Sequence, residues 1–476
     1  MTFSPALPVN NRCFNVFLRS TGLSPRFARI PAAWHYNKPL NMTTAKSSKV
    51  PTSRLARFGS LASLAGKVAG GMLAEGARQL AQGQKPALQQ VLLTPANAKR
   101  VTQQLAHMRG AAMKLGQLLS MDAGDLLPPA LSGILSQLRA HGSPMLPAQL
   151  AAVLKQEWGA DWQRQFSHFN FAPLAAASIG QVHAANHDNG RPLAVKIQYP
   201  GINTSIDSDV DNVATLLRIS GLLPQGLAIE PLLAEAKQQL HQEADYLQEA
   251  RYLQRYQQLL AADQRFLLPA LYPELSNRHI LTMGFVDGVA LDELRQQPQA
   301  LRDAVMSSLF ELLFLEIFRF RLVQTDPNFA NYRYNLTTNQ LVLLDFGACR
   351  DYSQTVSDGY RQLFRGLLQQ DQSIQLQALQ QIGYFSTDIV PAQQQAVLDL
   401  VSLAAEPLQQ AVYDFAASDL APRMRDAGLQ LSTRLRYWHT PPVDALFLHR
   451  KMAGLFLLAK QLQAKVAVRA LLEPFL

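Results

Sequence analysis

The 476-residue chain contains only two cysteines, Cys13 and Cys349. Two thiols make neither a disulfide framework nor a zinc cluster, and they fit a reducing compartment. Acidic residues are missing altogether from residues 1–74, which carry ten Lys or Arg. The net charge of +9 therefore resides in this leader, because beyond it 34 basic residues face 35 acidic ones. That balance gives the body no basic face for nucleic acid, and no nucleic-acid partner is expected. No segment reaches 18 uncharged apolar residues, so an obvious membrane-crossing helix is lacking. The absence of any internal repeat excludes solenoid and array architectures.

What is present divides the chain into five stretches. Residues 1–50 mix Arg, Ser, Asn and Pro without periodicity and read as a disordered basic leader. Such an acid-free, Arg-rich opening resembles a mitochondrial presequence. Met42 opens a second plausible start, and both readings stand. Within residues 51–95, 17 residues lie between Arg57 and Glu75, all apolar or small apart from two serines and Lys67. At about 1.5 Å per residue this falls short of a hydrocarbon core of ~30 Å. Ala62, Gly66, Gly70 and Ala74 form a small-residue ridge. A membrane-associating helix that meets anionic lipid, or pairs with a second copy in a homodimer, is expected; an ordinary close-packed helix is the alternative. Residues 96–160 read as a helical extension, with Leu105, Met108, Ala112, Leu115 and Leu119 on one face. Residues 161–286 read as a small mixed lobe, with strands around the turn NHDNG, helix over 203–260 and a strand in HILTMGFVDG. Residues 287–476 read as a helical lobe interrupted by one short strand, LVLLDF (341–346).

The chemistry-bearing residues follow an order. AAASIGQV fits the phosphate-loop spacing G-x-G-x-x-G-x-V, with Ala175 and Ala177 in place of the first two glycines and Gly180 and Val182 at its end. Ala176, Ser178 and Ile179 complete a loop whose backbone N–H groups are expected to cover phosphates. Lys196 follows on the next strand, where a lysine reaches phosphate oxygens as a point charge. Its counter-ion is expected in QEADYLQEA, which offers Glu243, Asp245 and Glu249. Asp245 and Glu249 share a helix face and Glu243 is rotated away, so one straight helix cannot aim all three at one point. QTDPNFANY then spaces Asp326 and Asn331 as D-x-x-x-x-N, and Asp345 opens Asp345-Phe346-Gly347. Kinase-type phosphoryl transfer needs a carboxylate near the acceptor, plus an amide and a carboxylate for Mg²⁺. In this order the fragments point to an ATP/ADP and Mg²⁺ site, with the adenine near the backbone of Met283–Val286. Gln324-Thr325 stands where protein kinases carry His-Arg, and no Ala-Pro-Glu follows the Asp-Phe-Gly. Phosphorylation of proteins is therefore doubtful.

These residues together resemble the UbiB family of atypical protein-kinase-like ATPases of ubiquinone (coenzyme Q) biosynthesis. The likeness spans roughly residues 50–470. It includes MRGAAMKLGQLLSMD with a K-x-G-Q element at Lys114 and Gln117, the alanine-rich AAASIGQVH, the E-x-D element at Glu243 and Asp245, and HRKMAG at 449–454. The resemblance implies an α+β, protein-kinase-like two-lobed fold with an N-terminal helical extension packed over the cleft. It places Lys114 and Gln117 against Glu243 and Asp245 as regulatory cleft contacts, which leaves Glu249 to pair with Lys196. On this reading Asn331 and Asp345 hold the metal, Lys196 meets the α/β-phosphates and Asp326 positions the attacking water or acceptor. The expected function is Mg-ATP turnover supporting ubiquinone biosynthesis at a mitochondrial or bacterial inner membrane. Partners would be biosynthetic proteins or phenolic lipid precursors. A non-catalytic scaffold and a small-molecule or lipid kinase are the rivals. The alanines are expected to retune the loop, because forcing alanine left-handed costs about 1–2 kcal/mol.

Overall fold

The computed structural model describes Lys114 and residues 144–476, apart from Ser178, 220–229, Pro327, 386–388, 434–436 and 438–440. The leader, the expected membrane-associating segment, Gln117 and the rest of the extension before residue 144 lie outside the described residues. Lys114 is itself helical.

The first lobe grows from hairpins. Pro147 starts helix α1 (Pro147–Trp158), a position where its missing N–H has no partner to lose. Strands β1 (Phe166–Ala176), β2 (Gly180–His187) and β3 (Pro192–Gln198) follow, and the expected turn between the last two places Gly190 at φ 81°. Three helices come next: α2 (Ile206–Ile219), α3 (Glu230–Glu243) and α4 (Tyr246–Leu259). They account for the 53 residues between Lys196 and Glu249. After the two-residue strand β4 (Phe266–Leu267), β5 (Ile280–Gly284) completes an antiparallel sheet of order β1-β2-β3-β5. Leu193, Val195 and Ile197 on β3 have no exposed surface and form the centre of this lobe with Leu253 and Tyr256 of α4.

The helix expected to run through 235–255 is broken. Ala244 and Asp245 separate α3 from α4, and Asp245 (φ −102°, ψ 84°) caps the second helix by accepting the Gln248 N–H at 3.0 Å. Aspartate suits this position because its short carboxylate satisfies an otherwise orphaned N–H. The break re-aims Glu249 relative to Glu243, a freedom that a straight helix denies.

The second lobe is helix-rich, with more strand than its sequence declares. It runs through β6 (Val289–Ala290), α5 (Gln299–Leu315), a π-turn (Glu316–Phe320), β7 (Leu322–Gln324), β8 (Tyr332–Asn335), β9 (Gln340–Leu343) and β10 (Cys349–Asp351). Then come α6 (Gln354–Gln369), α7 (Gln372–Ile382), α8 (Pro391–Ala404), β11 (Tyr413–Asp414), α9 (Leu420–Thr433), α10 (Val443–Gln461), β12 (Lys465–Val466) and α11 (Val468–Leu472). The single strand expected at 341–346 is four residues of a sheet ordered β4-β9-β8-β6, and β7 pairs separately with β10. Strands of two to four residues are too short to show a period, and their partners lie far away in sequence. Ser353 and Asp371 cap α6 and α7 through their side-chain oxygens, and Gly383 ends α7 at φ 93°. The expected α+β, two-lobed class holds. Among the described residues no helix is long and apolar enough to cross a membrane.

Gly180 is irreplaceable for a local reason. A Cβ there would stand 2.3 Å from the carbonyl oxygen of Ile197 on β3, a backbone atom that cannot step aside. Overpacking of this kind costs about 1–3 kcal/mol. Gly180→Ala should therefore lower the urea midpoint of the chain, whereas Gly190→Ala, which strains only an open turn, should lower it less; equal midpoints would contradict the packing assignment.

Candidate active site

The cleft between the lobes gathers six charged side chains from distant parts of the chain. Lys196 on β3 donates to both oxygens of Glu249 on α4, at 2.8 and 2.9 Å, and lies 3.4 Å from Asp345 Oδ2. Both members of the pair are buried. Lys114 reaches in from the extension and donates to Glu243 Oε1 at 2.6 Å. It is 5% exposed, so it is no part of a solvated polar face. Asp326 follows β7, accepts the Asn331 side-chain N–H at 3.1 Å and accepts the Asn328 backbone N–H at 3.2 Å. Asp345 lies two residues beyond β9, where Leu344 has turned its N–H to the Asn331 carbonyl. The Gly347 N–H, at 2.9 Å, fixes its other oxygen. Phe346 is buried against Tyr256 of α4, with ring centroids 5.0 Å apart.

The protonation tendencies follow from this crowding. Burial works to discharge Lys114, but Glu243, Asp326 and Asp345 outweigh it and hold its pKa above the ordinary lysine value. Lys196 behaves likewise through Asp345 and Glu249. Burial would lift Asp345, yet Lys196 and the Gly347 N–H keep it below the usual aspartate value. Asp326 is raised, first by burial and then by Asp345 and Glu243, against the pull of Lys114. Burial also pushes Glu249 up to about 7 despite its lysine.

The alanine-rich loop differs from expectation in one respect. Ala175 and Ala176 remain in the β1–β2 ladder opposite Val182 and Gln181. Ala177 donates its N–H to the Gly180 carbonyl at 2.9 Å, so that N–H closes the hairpin and does not face the cleft as a free donor. None of the three alanines has a positive φ. Left-handed strain is thus absent from these alanines. Ser178 lies outside the described residues, and Ile179 is buried, its carbonyl accepting the Tyr199 N–H. Met283 pairs with Ala194 within the sheet, and Val286 follows the strand where the chain passes between lobes.

The E-x-D element divides its work. Glu243 meets Lys114, while Asp245 spends an oxygen on the α4 cap. Gln324-Thr325 has its own logic: Thr325 directs both its N–H and its hydroxyl to the Ala348 carbonyl, at 3.1 and 2.6 Å. This ties the strand before Asp326 to the segment after Asp345 with no arginine. Sequence reasoning passed over Glu316 and Lys451, a buried ion pair within reach of this region. Only the basic run in HRKMAG hinted at it.

An ABC1 atypical kinase-like domain matches residues 137–379. The chain belongs to the ABC1 atypical kinase-like family. It is 38% identical to the mitochondrial atypical kinase COQ8 of Saccharomyces cerevisiae over 427 residues, 89% of this chain and 85% of that protein. It is 36% identical to the mitochondrial atypical kinase COQ8B of Rattus norvegicus, covering 92% and 83% of the two chains. Among solved structures, the Rv3197–erythromycin complex from Mycobacterium tuberculosis aligns with a TM-score of 0.54 at 24% identity, over 78% of this chain and 93% of that one. That likeness establishes the shared fold. As a member of the family, the chain is an atypical kinase-like enzyme with the two-lobed α+β fold of kinases.

The Glu249 proton has a measurable consequence. Its folded value of about 7 lies above the ordinary 4.5, so between those pH values the native chain holds more protons than the unfolded one. The stability this group contributes is complete below about 4.5 and fades as pH climbs through about 7. Denaturant titrations at pH 5 and pH 8 should show a loss with rising pH that is smaller in Glu249→Gln; identical slopes in the two proteins would refute the assignment.

Proposed function

We propose that the chain binds Mg-ATP in this cleft and turns it over in support of coenzyme Q (ubiquinone) biosynthesis at a membrane. The observation that carries the reading is the convergence of Lys196, Glu249, Asp326, Asn331 and Asp345 on one cleft. The donor set fits the metal. Asn331 has its amide nitrogen committed to Asp326, which leaves its carbonyl oxygen as the atom suited to a cation, and Asp345 supplies a carboxylate kept ionised by Lys196. Mg²⁺ is commonly held by one or two such oxygens together with substrate phosphates. Four carboxylates surround two lysines here, an excess of negative charge that one divalent cation offsets.

On this reading Asn331 and Asp345 hold the metal, whose chemistry is to neutralise charge on the transferred phosphoryl group. Lys196, steadied by Glu249, meets the α/β-phosphates. The hairpin of Ala175–Gly180 and Val182 covers them by its position, and the adenine meets the backbone of Met283–Val286. Asp326, raised by burial, orients the acceptor and takes up its proton. Lys114, held by Glu243 and charged beside Asp326 and Asp345, would favour water or another small acceptor over a peptide. Lys114, paired with Glu243, would act as a regulatory contact, and the same role is proposed for Gln117 and Asp245.

The coenzyme Q reading is supported by the relatives, and the membrane reading by the basic leader and its small-residue ridge. The proteins named COQ8 and COQ8B above are mitochondrial atypical kinases, and an acid-free leader agrees with that address. The membrane would be an inner one, mitochondrial or bacterial. Partners would be anionic lipids, biosynthetic proteins or phenolic lipid precursors, with a second copy of the chain able to pair through the small-residue ridge.

Asp345→Asn should abolish Mg-dependent ATP turnover and leave the melting transition intact, since a neutral amide replaces the anionic oxygen that would hold Mg²⁺. Complete rescue of a coenzyme-Q-deficient strain by this variant would instead favour a non-catalytic scaffold. Removing residues 1–80 should release the protein from anionic liposomes without changing its affinity for nucleotide, because the excess positive charge lies there. Equal sedimentation of both forms with the liposomes would rule out a leader-borne attachment.

A further inference from the structure

Glu316 in the π-turn is almost wholly buried, and two of its partners, Tyr256 and Gln324, stand on elements that lead to the cleft. Its Oε2 accepts Lys451 of α10, a residue equally buried and 135 positions away. Its Oε1 lies 2.8 Å from the Tyr256 hydroxyl of α4, which also lies 3.1 Å from the Leu322 carbonyl of β7. The Gln324 backbone N–H approaches the same oxygen at 3.5 Å. Gln324 in turn accepts the Tyr332 hydroxyl at 3.2 Å, one residue after Asn331. Tyr256 is two turns along α4 from Glu249, on the same helix face, and its ring supports Phe346. A small cavity lined by Tyr256, Glu316, Gln324, Asn331 and Asp345 connects this carboxylate to the cleft.

We propose that Glu316, charged against Lys451, is the positioning residue that keeps the Glu249 helix and the Asp326 strand in register with each other. Neither residue touches the reacting atoms. Glu316 joins three elements far apart in the chain at one carboxylate: α4 through Tyr256, β7 through Gln324, and α10 through Lys451. Lys196 is oriented by the first piece and Asp326 by the second, so a shift at the hub moves the phosphate contact and the acceptor contact relative to each other. Lys451 belongs to the C-terminal basic run, which no contact in the cleft explains. Its neighbour Arg450 pairs with Glu235 of α3, so the same stretch of α10 also grips the helix that presents Glu243.

The test uses the full chain, and its activity arm rests on the Mg-ATP reading. Lys451→Met strands a buried carboxylate; Glu316→Gln/Lys451→Met removes the stranded charge and keeps an oxygen to accept the Tyr256 hydroxyl and the Gln324 N–H. Leu455→Ala, which opens a cavity one turn further along the same helix, serves as the control for lost stability alone. Lys451→Met should lower kcat for ATP by at least about tenfold with KM changed less than about threefold, and the double variant should recover most of that loss. Hydrogen exchange should speed up at 246–259 and 322–324 in Lys451→Met, and not in Leu455→Ala. A kcat that falls equally in Leu455→Ala, or a double variant no better than the single one, overturns the proposal. So does failure of both Lys451 variants to fold. If the wild-type chain turns over no ATP, the exchange pattern decides alone: selective acceleration upholds the positioning role while the nucleotide reading falls, and uniform exchange overturns the positioning role.

Discussion

Charge that has been taken out of water must be matched, and that requirement organises the cleft. Lys196 and Glu249 are both buried, as is Lys114 beside Glu243. Leaving either lysine unpaired there would cost several kcal/mol, more than a typical single contact can return. The lobes can therefore close only in an arrangement that brings β3, α4, the Asp345 segment and the extension together. The break at Asp245 is the local device that allows it. It converts one helical stretch into two, and each then presents a carboxylate to a different lysine.

Much of this was legible in the sequence because it is chemistry at fixed spacing. The order of alanine-rich loop, Lys196, acidic helix, Asp326-x-x-x-x-Asn331 and Asp345-Phe346-Gly347 carries the kinase-like class with no structural help. The 53-residue gap between Lys196 and Glu249 disclosed inserted helices. Glu316 and Lys451 were hidden for the converse reason. Their partnership spans 135 residues, has no spacing rule, and looks like an ordinary glutamate and an ordinary basic run until the chain is folded. The strands of the second lobe escaped for want of length, since β7 and β10 have three residues each. The alanines were read as a conformational penalty, yet in the folded hairpin none is left-handed, and Ala177 is engaged in closing the turn.

The departures from the common protein-kinase pattern form a consistent set. Where an arginine before the catalytic aspartate would call for an anionic partner on a long activation segment, Thr325 binds the Ala348 carbonyl directly. The segment after Asp345 is short: β10 ends at Asp351 and α6 begins at Gln354. A short, strand-paired segment needs no phosphate to order it, so the structure joins Asp326 to Asp345 through backbone and hydroxyl contacts alone.

The basic run of α10 has a consequence for the order in which the molecule can be made. His449, Arg450 and Lys451 diverge by about 100° per residue, and they meet Tyr384, Glu235 and Glu316 respectively. On a ribosome the two glutamates emerge long before their cations. At roughly 5–20 residues per second, Glu316 waits on the order of ten seconds for Lys451. During that interval its carboxylate favours water over the interior. The cleft strands beside it cannot reach their final burial until α10 has been made.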